Sequence, residues 1–399
     1  GHGLLAGFCL VHFHVGSQIT EIRSIKAAVK EGARVYAKLR AQGCPVEYLD
    51  VGGGLGVDYD GSKTSYEASM NYSVTEYAND VVYLVQEICD AEGVTPPTLV
   101  SESGRALTAY HAILISEVSG QNQEADGSKL ALPGDAHDSL RELYEIREEM
   151  TRKNHREFFH DAQDRYEELH SQFDLGYLSL RDRALGERLM AMVRRRALRY
   201  AKDERFVPEE FTRLEQRMIT KYIANFSVFQ SLPDHWALDQ LFPVLPIHRL
   251  DERPTVQATL CDVTCDSFGE IDTFVDVDDR RTSLALHELD EEQPYYIAVT
   301  LLGAYQDVLG DYHNLFGRVD EAHVRIDKSG KARIVKAVRG DEAHEVLELF
   351  GYEPDAMIET VRAAVEERVA SGALGKKAGE RVLKEYEASL DGYTYLDFG

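Results

Sequence analysis

The first 118 residues alternate strand and helix signals, and this rhythm limits the possible folds more than any other feature of the chain. Short apolar runs predict strands at 8–15, 46–51, 98–101 and 111–118. Helix-forming stretches, at 22–42 and 75–91 among others, separate these runs. Because crossover helices connect parallel strands, the pattern predicts a parallel sheet or barrel. A closed (β/α)8 barrel needs eight strands, so about four strands predict a partial barrel.

The rest of the chain predicts three further regions. Charged sequence with Met and Leu at helical spacing, from about 140 to 219, indicates an inserted helical bundle. Strand signals typical of an antiparallel β domain return at 222–230, 255–263, 295–302, 322–327 and 332–338. A loop is predicted over 119–134, and helices from 341 to about 390. The predicted fold is α/β plus β, with the C-terminal half of a barrel at 1–135, a helical bundle at 136–220, a β domain at 221–340 and C-terminal helices at 341–399.

Charge and cysteine usage limit the partners and the compartment. The chain has 69 acidic and 44 basic residues, a net charge of −25, which opposes binding to nucleic acid or to an anionic membrane. No apolar run of about 18 residues occurs, so we expect no transmembrane helix. Five scattered cysteines do not form a disulfide framework, which favours a reducing cytoplasm. The chain starts on Gly1 directly before a strand, so we expect the native start to lie upstream.

The predicted first strand contains two histidines in an apolar run, LVHFHVGSQI. Strand alternation puts His12 and His14 on one face, so both could point into a barrel. His14 is nearer the C-terminal end, followed by Gly16 and Ser17. We therefore expect His14 to face a ligand and His12 to be a deeper core or supporting residue.

The second strand runs into three glycines, in the segment LDVGGGLGVDYDGS at 49–62. Glycines let backbone N–H groups approach an anion closely, as in phosphate sites. The dinucleotide fingerprint from Gly52 would need a glycine at Val57, and a P-loop from Gly56 would need a lysine at Ser62. Both nucleotide motifs therefore fail. The alternative is a tight strand-to-helix turn without a ligand.

Three later segments carry candidate functional groups, each with a plainer alternative. Glu102 ends a strand just before Gly104 and Arg105, where barrel enzymes place catalytic groups; the alternative is a solvated loop. The segment TLCDVTCDSFGEID would place Cys261 and Cys265 on one strand face; the alternative is a buried cysteine beside a polar turn. Tyr305 follows a strand and could donate to an anion, although interface tyrosines are commoner.

Together, and in this order, these segments resemble the fold-type III pyridoxal-phosphate decarboxylases, and within them the bacterial biosynthetic arginine decarboxylases. The resemblance covers most of the chain. Its carriers are HFHVGSQI, LDVGGGLGVDYDGS, SESGRALTAYHA, NFSVFQSLPDHWALDQLFPVLPIHRLDE, TLCDVTCDSFGEID, LLGAYQDVLGDYHNLFG and DGYTYLDF. It implies decarboxylation of L-arginine to agmatine and CO2 in polyamine (putrescine and spermidine) biosynthesis, a lyase reaction.

The resemblance also implies roles for individual residues. Those expected to contact pyridoxal 5'-phosphate are His14, Ser17, Gly52, Gly53, Gly54, Glu102, Gly104, Arg105 and Tyr305. His14 would lie on the cofactor ring, and Glu102 would pair with its pyridine nitrogen. Cys265 would return a proton to the substrate carbon, and Asp266 would bind the guanidinium, each reaching across a homodimer or larger oligomer. Further substrate contacts are expected from Asp234, Leu49, Asp50, Val51, Leu55, Gly56, Val57, Asp58 and Tyr59.

One departure from the family pattern concerns the lysine that attaches the cofactor, which the family carries on an early barrel strand. Lys26, Lys30 and Lys38 fall on a predicted helix, Lys63 in a loop and Lys221 before a later strand. We therefore expect this chain to be the C-terminal portion of an enzyme, inactive alone. Magnesium is implied by resemblance only, with no metal ligands identified. The alternatives are a lysine-less binding or regulatory homologue, or a decarboxylase of ornithine or diaminopimelate.

Overall fold

The computed structural model describes residues 3–122, 130–277, 279–290 and 292–397. The two residues at each chain end, and 123–129 of the predicted loop, lie outside the described residues. The chain forms two compact units, one of Gly1–Ser119, Ile223–Pro254 and Leu260–Gly399, the other of Gly120–Tyr222 and Thr255–Thr259. Among the described helices, none has the length and apolar character needed to cross a membrane.

Unit 1 begins with a three-stranded parallel sheet in the order β1 (Leu10–His12), β2 (Tyr48–Asp50) and β3 (Thr98–Val100). Two crossover helices connect the strands, α1 (Ile22–Ala41) and α2 (Val74–Glu92). A capping box between Ser73 and Glu76 begins α2, and Gly93 ends it in the left-handed conformation. The predicted βαβ rhythm is confirmed for these three strands.

One side of each crossover helix packs into the core of this sheet. On α1 the buried residues Ile25, Val29, Ala33 and Tyr36 recur at helical spacing. They pack in one cluster with the buried strand residue Leu49. Because each strand is joined to the next by a crossover helix, the three strands run parallel and their carboxyl ends lie at the same edge of the sheet.

The fourth predicted strand is real but belongs to another sheet. After the short helix α3 (Gly104–Thr108), β4 (Ile113–Asn122) pairs antiparallel with β12 (Tyr296–Thr300). Its burial alternates from Ile113 to Val118, with one face exposed. This period-2 pattern suits an antiparallel strand, whereas a strand of a parallel barrel is buried on both faces. The prediction of four parallel strands is therefore wrong.

Unit 2 contains the predicted helical bundle. Its helices are α4 (Asp138–Glu149), α5 (His155–Asp174), α6 (Leu180–Lys202) and α7 (Glu209–Arg217). Their facing sides form a single apolar cluster that includes Leu140, Leu143, Leu169, Leu189 and Phe211. Ser179 caps α6 through the backbone N–H of Asp182. The long amphipathic helices thus bury their own core, as the leucine and methionine spacing predicts.

The antiparallel sheet has the strand order β11-β7-β5-β4-β12-β6, and β8 pairs with β7. The strands not yet named are β5 (Thr220–Ala224), β6 (Val244–Pro246), β7 (Val256–Cys261), β8 (Glu270–Ile271) and β11 (Leu284–Leu286). The predicted strand at 222–230 is instead β5 followed by two short helices, α8 (Val228–Ser231) and α9 (Pro233–Leu238). Because β7 ends at Cys261, Cys265 lies in the following loop and the predicted shared strand face is wrong.

The remaining elements flank this sheet in the chain. They are the strand pair β9 (Phe274–Asp276) and β10 (Asp279–Arg281), the helix α10 (Gln306–Leu309), the hairpin β13 (Glu321–Ile326) and β14 (Ala332–Val338), and the helices α11 (Ala343–Leu349), α12 (Pro354–Ala370) and α13 (Lys376–Leu390). The predicted C-terminal helices and the α/β plus β class are confirmed. The four predicted domain boundaries remain predictions.

Candidate active site

The carboxyl ends of the three parallel strands bring a histidine and two carboxylates together. His12 Nδ1 donates to Asp50 Oδ2 at 2.8 Å, and Asp50 Oδ1 accepts the Gly52 N–H at 2.9 Å. Ligand atoms of His12, Asp50 and Glu102 all lie within 4.8 Å of one another. The His12 side chain is 42% exposed and bonded to Asp50, which fits the supporting role expected as the alternative to a core position. Asp50, by contrast, is buried and links β1 to the glycine turn.

The glycine turn after β2 packs directly against two neighbouring loops. Gly52 has φ 70°, and a Cβ there would meet the Phe13 carbonyl oxygen at 2.2 Å. A Cβ on Gly53 would lie 2.2 Å from the Glu102 carbonyl oxygen. The Gly53 N–H donates to His14 Nδ1 at 3.2 Å, so that nitrogen carries no proton. The turn therefore needs glycine to approach its neighbours, and it fixes the tautomer of the exposed His14.

A buried arginine lies beside this turn. Arg105 is 8% exposed and donates from Nη1 to the Tyr59 hydroxyl at 2.9 Å and from Nη2 to Ser17 Oγ at 3.2 Å. Its Nε is buried and has no hydrogen-bond partner among the described residues. The Arg105 guanidinium also lies over the Tyr305 ring, 4.9 Å from the centroid. A buried guanidinium with one N–H group that lacks a hydrogen-bond acceptor is the arrangement expected where an anion binds.

The surroundings of Arg105 fit a phosphate group. Ser17 and Arg105 line a cavity of about 530 Å³, and no described heavy atom lies within 4 Å of a Cβ built on Gly104 or Gly16. Hydroxyl, guanidinium and glycine backbone N–H groups are the usual phosphate ligands. Glu102 lies at the next strand end, exposed, where its carboxylate can pair with a cationic ring nitrogen. These residues therefore fit the phosphate and ring nitrogen of pyridoxal phosphate.

The predicted Cys265 and Asp266 lie in the loop after β7, on the surface of unit 1. Cys265 is exposed, and Asp266 Oδ1 accepts the Phe268 N–H at 2.9 Å. Asp234 differs, because its side chain is 3% exposed and its Oδ2 accepts Gln306 Nε2 at 3.0 Å. That burial leaves little of the Asp234 carboxylate for a substrate, and Asp266 is the better placed of the two.

The predicted substrate segment from Leu49 to Tyr59 is mostly core. Its apolar members Leu49, Val51, Leu55 and Val57 are each no more than 6% exposed. Such side chains stabilise the sheet and are not presented to a ligand. Within this segment, direct contact with a small molecule falls to backbone groups and to the polar side chains, among them the half-buried Asp58.

The candidate cofactor lysines lie at or near the elements predicted for them. Lys26, Lys30 and Lys38 are on α1, Lys63 is in the loop after β2, and Lys221 is inside β5.

The sequence reasoning missed three residues near the site. Gln18 clamps the loop after β2 by accepting the Val57 N–H at 2.9 Å and donating to the Val57 carbonyl at 2.8 Å. His313 and Asn314 contact the Asp266 and Cys265 side chains. Both lie in the quoted segment LLGAYQDVLGDYHNLFG, but nothing in the local pattern shows which distant loop they approach.

Three family models match successive parts of the chain. Residues 7–109 match the pyridoxal-binding domain of pyridoxal-dependent decarboxylases. Residues 133–215 match the arginine decarboxylase helical bundle domain, and 343–396 match the arginine decarboxylase C-terminal helical extension. The order of these matches follows the order of the half-barrel, the bundle and the C-terminal helices along the chain.

Individual proteins similar to this chain are also arginine decarboxylases. The chain is 47% identical to the biosynthetic arginine decarboxylase of Deinococcus radiodurans, over 99% of this chain and 60% of that protein. It is 45% identical to that of Gloeobacter violaceus, over 98% of this chain and 62% of that protein. The crystal structure of the biosynthetic arginine decarboxylase of Campylobacter jejuni superimposes with a TM-score of 0.79 at 34% identity, covering 99% of this chain and 64% of that one. The chain spans about 60% of the length of the curated relatives it matches. Over nearly its whole length the chain is thus similar to biosynthetic arginine decarboxylases, and its residues 7–109 match the pyridoxal-binding domain of the pyridoxal-dependent decarboxylases.

Proposed function

We propose that the complete protein encoded by the reading frame of this chain decarboxylates L-arginine to agmatine and CO2 with pyridoxal 5'-phosphate, a step of polyamine biosynthesis, and that the chain alone is inactive. The observation that carries this proposal is the buried Arg105, whose Nε lacks a described partner beside Ser17 at the glycine turn. The exposed carboxylate of Glu102 lies at the adjoining strand end. An anion site and a carboxylate at the ends of neighbouring parallel strands suit the two ends of one phosphorylated pyridine.

The cofactor, when bound, supplies an electron-withdrawing ring that accepts the electron pair left behind when CO2 departs. Arg105, Ser17, Tyr305 and the backbone of Gly52 to Gly54 would hold its phosphate. Glu102 would keep the ring nitrogen protonated, because a nearby carboxylate favours the cationic form. His14, fixed by the Gly53 N–H, would lie against the ring.

In this proposal, residues of the loop after β7 contact the substrate. Cys265 would give its thiol proton to the carbon that lost CO2. Asp266 would bind the guanidinium, whose fork of N–H donors matches a carboxylate. In this proposal both residues serve the neighbouring subunit of a homodimer. A cationic substrate also suits a chain of net charge −25.

Two subsidiary assignments have different support. All five cysteines are free, which supports a reducing cytoplasm. Magnesium is implied by the family, but the described residues do not offer a matching set of ligands. The two close groups of metal-binding side chains are His12, Asp50, Glu102 and Glu342, His344, Asp391, and each includes an imidazole. Because Mg²⁺ prefers oxygen ligands, neither group is assigned to it.

The direct test is to express the complete reading frame that encodes this chain and measure CO2 release from arginine, ornithine and diaminopimelate. Arginine is expected to be the preferred substrate, and D266N is expected to raise the KM for arginine. Preference for either other amino acid would contradict the substrate assignment.

The anion site is tested separately by titrating the purified protein with pyridoxal 5'-phosphate. R105Q removes the buried cation and is expected to weaken binding about 10- to 100-fold, as for loss of charge-assisted hydrogen bonds. Its matched control is R34Q, because Arg34 pairs with Glu92 on the exposed side of α1. Equal affinities in all three proteins would show that Arg105 does not bind the phosphate.

A further inference from the structure

Two consecutive residues, His313 and Asn314, each contact one member of the Cys265–Asp266 pair. The Cys265 thiol donates to Asn314 Oδ1 at 3.7 Å, across 49 residues of sequence. His313 Nε2 lies 3.6 Å from Asp266 Oδ2. The segment after α10 therefore supports both side chains of the loop after β7, one contact each.

Asn314 reaches Cys265 from an unusual backbone conformation. Its φ of 54° and ψ of 22° are left-handed, and Leu315 follows with φ 62°. Asparagine tolerates this region better than most residues, whereas leucine does so at a cost. Backbone of this kind persists only where the surroundings hold it, and it is concentrated at functional sites.

His313 is fixed on its other sides. Its ring packs on Phe229 with centroids 4.2 Å apart, and its backbone N–H donates to Asp311 Oδ1 at 3.0 Å. The Nε2 atom that faces Asp266 is buried and has no hydrogen-bond partner among the described residues. Since Asp266 Oδ1 already accepts the Phe268 N–H at 2.9 Å, His313 faces the remaining carboxylate oxygen. The carboxylate thus has a neighbour at each oxygen.

We propose that His313 and Asn314 are positioning residues for the decarboxylation. Asn314 orients the Cys265 thiol through the hydrogen bond to its Oδ1, and His313 holds Asp266 in the orientation that receives the guanidinium. The roles given to Cys265 and Asp266 rest on the proposed function, whereas the effect of Asn314 on the thiol does not.

The thiol is tested by alkylation with iodoacetamide, followed at Cys265 by peptide mass spectrometry. N314G keeps the left-handed backbone and removes the acceptor, so the thiol loses the hydrogen bond that restrains it. We expect about two- to threefold faster alkylation at pH 7.5, the size of one weak hydrogen bond. The control L315G, at the neighbouring left-handed position, should match the wild type. An unchanged or slower rate in N314G would overturn the proposal.

The carboxylate is tested by steady-state kinetics on the protein from the complete reading frame. H313F keeps the ring on Phe229 and removes the polar nitrogens. It is expected to raise the KM for arginine about tenfold with kcat within about twofold, and H313Q should restore most of the KM. N314G should lower kcat with little change in KM. A fall in kcat alone for H313F, or no rescue by H313Q, would contradict the role of His313.

The two experiments distinguish the proposed function from the effect of Asn314 on the Cys265 thiol. If the wild-type protein releases no CO2 from arginine, the proposed function fails. The alkylation rates of N314G and L315G still decide whether Asn314 controls the thiol.

Discussion

Arg105 and Tyr59, 46 residues apart in sequence, share a buried hydrogen bond of 2.9 Å at the centre of the candidate site. Burial raises the pKa of Tyr59, and the Arg105 guanidinium only partly offsets it. The phenol therefore stays neutral and serves as an acceptor for the guanidinium. This pair joins the loop after β2 to the helix after β3, which orients Arg105 toward Ser17.

Replacement of Tyr59 by phenylalanine should weaken the fold measurably. Y59F preserves the edge-to-face contact with Phe242, whose ring centroid lies 5.5 Å away, but removes the acceptor for Arg105. A buried donor left without a partner costs about 1–3 kcal/mol. Urea unfolding measures the change, with Y110F as control because Tyr110 is 59% exposed. Equal losses in both variants would show that the Arg105 hydrogen bond adds no stability.

The glycine turn should not accept a side chain at Gly54. This residue has φ 92°, and a Cβ would lie 2.3 Å from the Gly16 carbonyl oxygen. G54A therefore combines left-handed strain with a backbone clash, and we expect a loss of about 3 kcal/mol or more. G61A has similar strain at φ 76° with no described heavy atom within 4 Å of the Cβ, so it should lose only about 1 kcal/mol. Matching midpoints in urea for G54A and G61A would refute the close approach of the two loops.

Truncation of a buried leucine in the bundle should lower the free energy of unfolding far more than truncation of an exposed leucine in the same helix. Leu189 of α6 is 0% exposed and Leu180 at the start of the same helix is 74% exposed. L189A should cost about 2–5 kcal/mol, whereas L180A should change stability by less than about 0.5 kcal/mol. Thermal unfolding followed by circular dichroism compares the two. A small effect of L189A would mean that α6 does not pack as described.

Protonation of His235 should lower the free energy of unfolding as the pH falls below about 6.5. Burial lowers the pKa of His235, and hydrogen bonds from the ring to backbone carbonyls only partly offset this. The unfolded chain therefore binds the proton more readily, so stability is complete above about pH 6.5 and declines as the pH falls below it. H235Q removes this titration and should lose less Tm than the wild type between pH 7.5 and 5.5. Between pH 8.5 and 7.5 the two proteins should show the same change in Tm, and identical curves throughout would refute the assignment.

Local sequence patterns were sufficient to predict most of the helices and strands. The helix predicted at 22–42 corresponds to α1, and Gly52 to Gly54 predict a close turn after β2. Such patterns work because helix periodicity and glycine conformations are properties of a few neighbouring residues. The same patterns failed at two segments. At 111–118 they predicted a strand of the parallel sheet, but the strand pairs with β12 in the antiparallel sheet. At 222–230 they predicted one long strand, but β5 ends at Ala224, because pairing with distant strands sets its length.

The sequence by itself indicated the family resemblance, the order of half-barrel, bundle, sheet and C-terminal helices, and the residues expected to bind a phosphorylated cofactor. Only the tertiary structure decided that His12 is bonded to Asp50, that Asp234 is buried against Gln306, and that His313 and Asn314 contact Asp266 and Cys265. The physical reason is that burial and hydrogen-bond partners are set by contacts between segments 38 to 72 residues apart. No local pattern of residues contains those contacts.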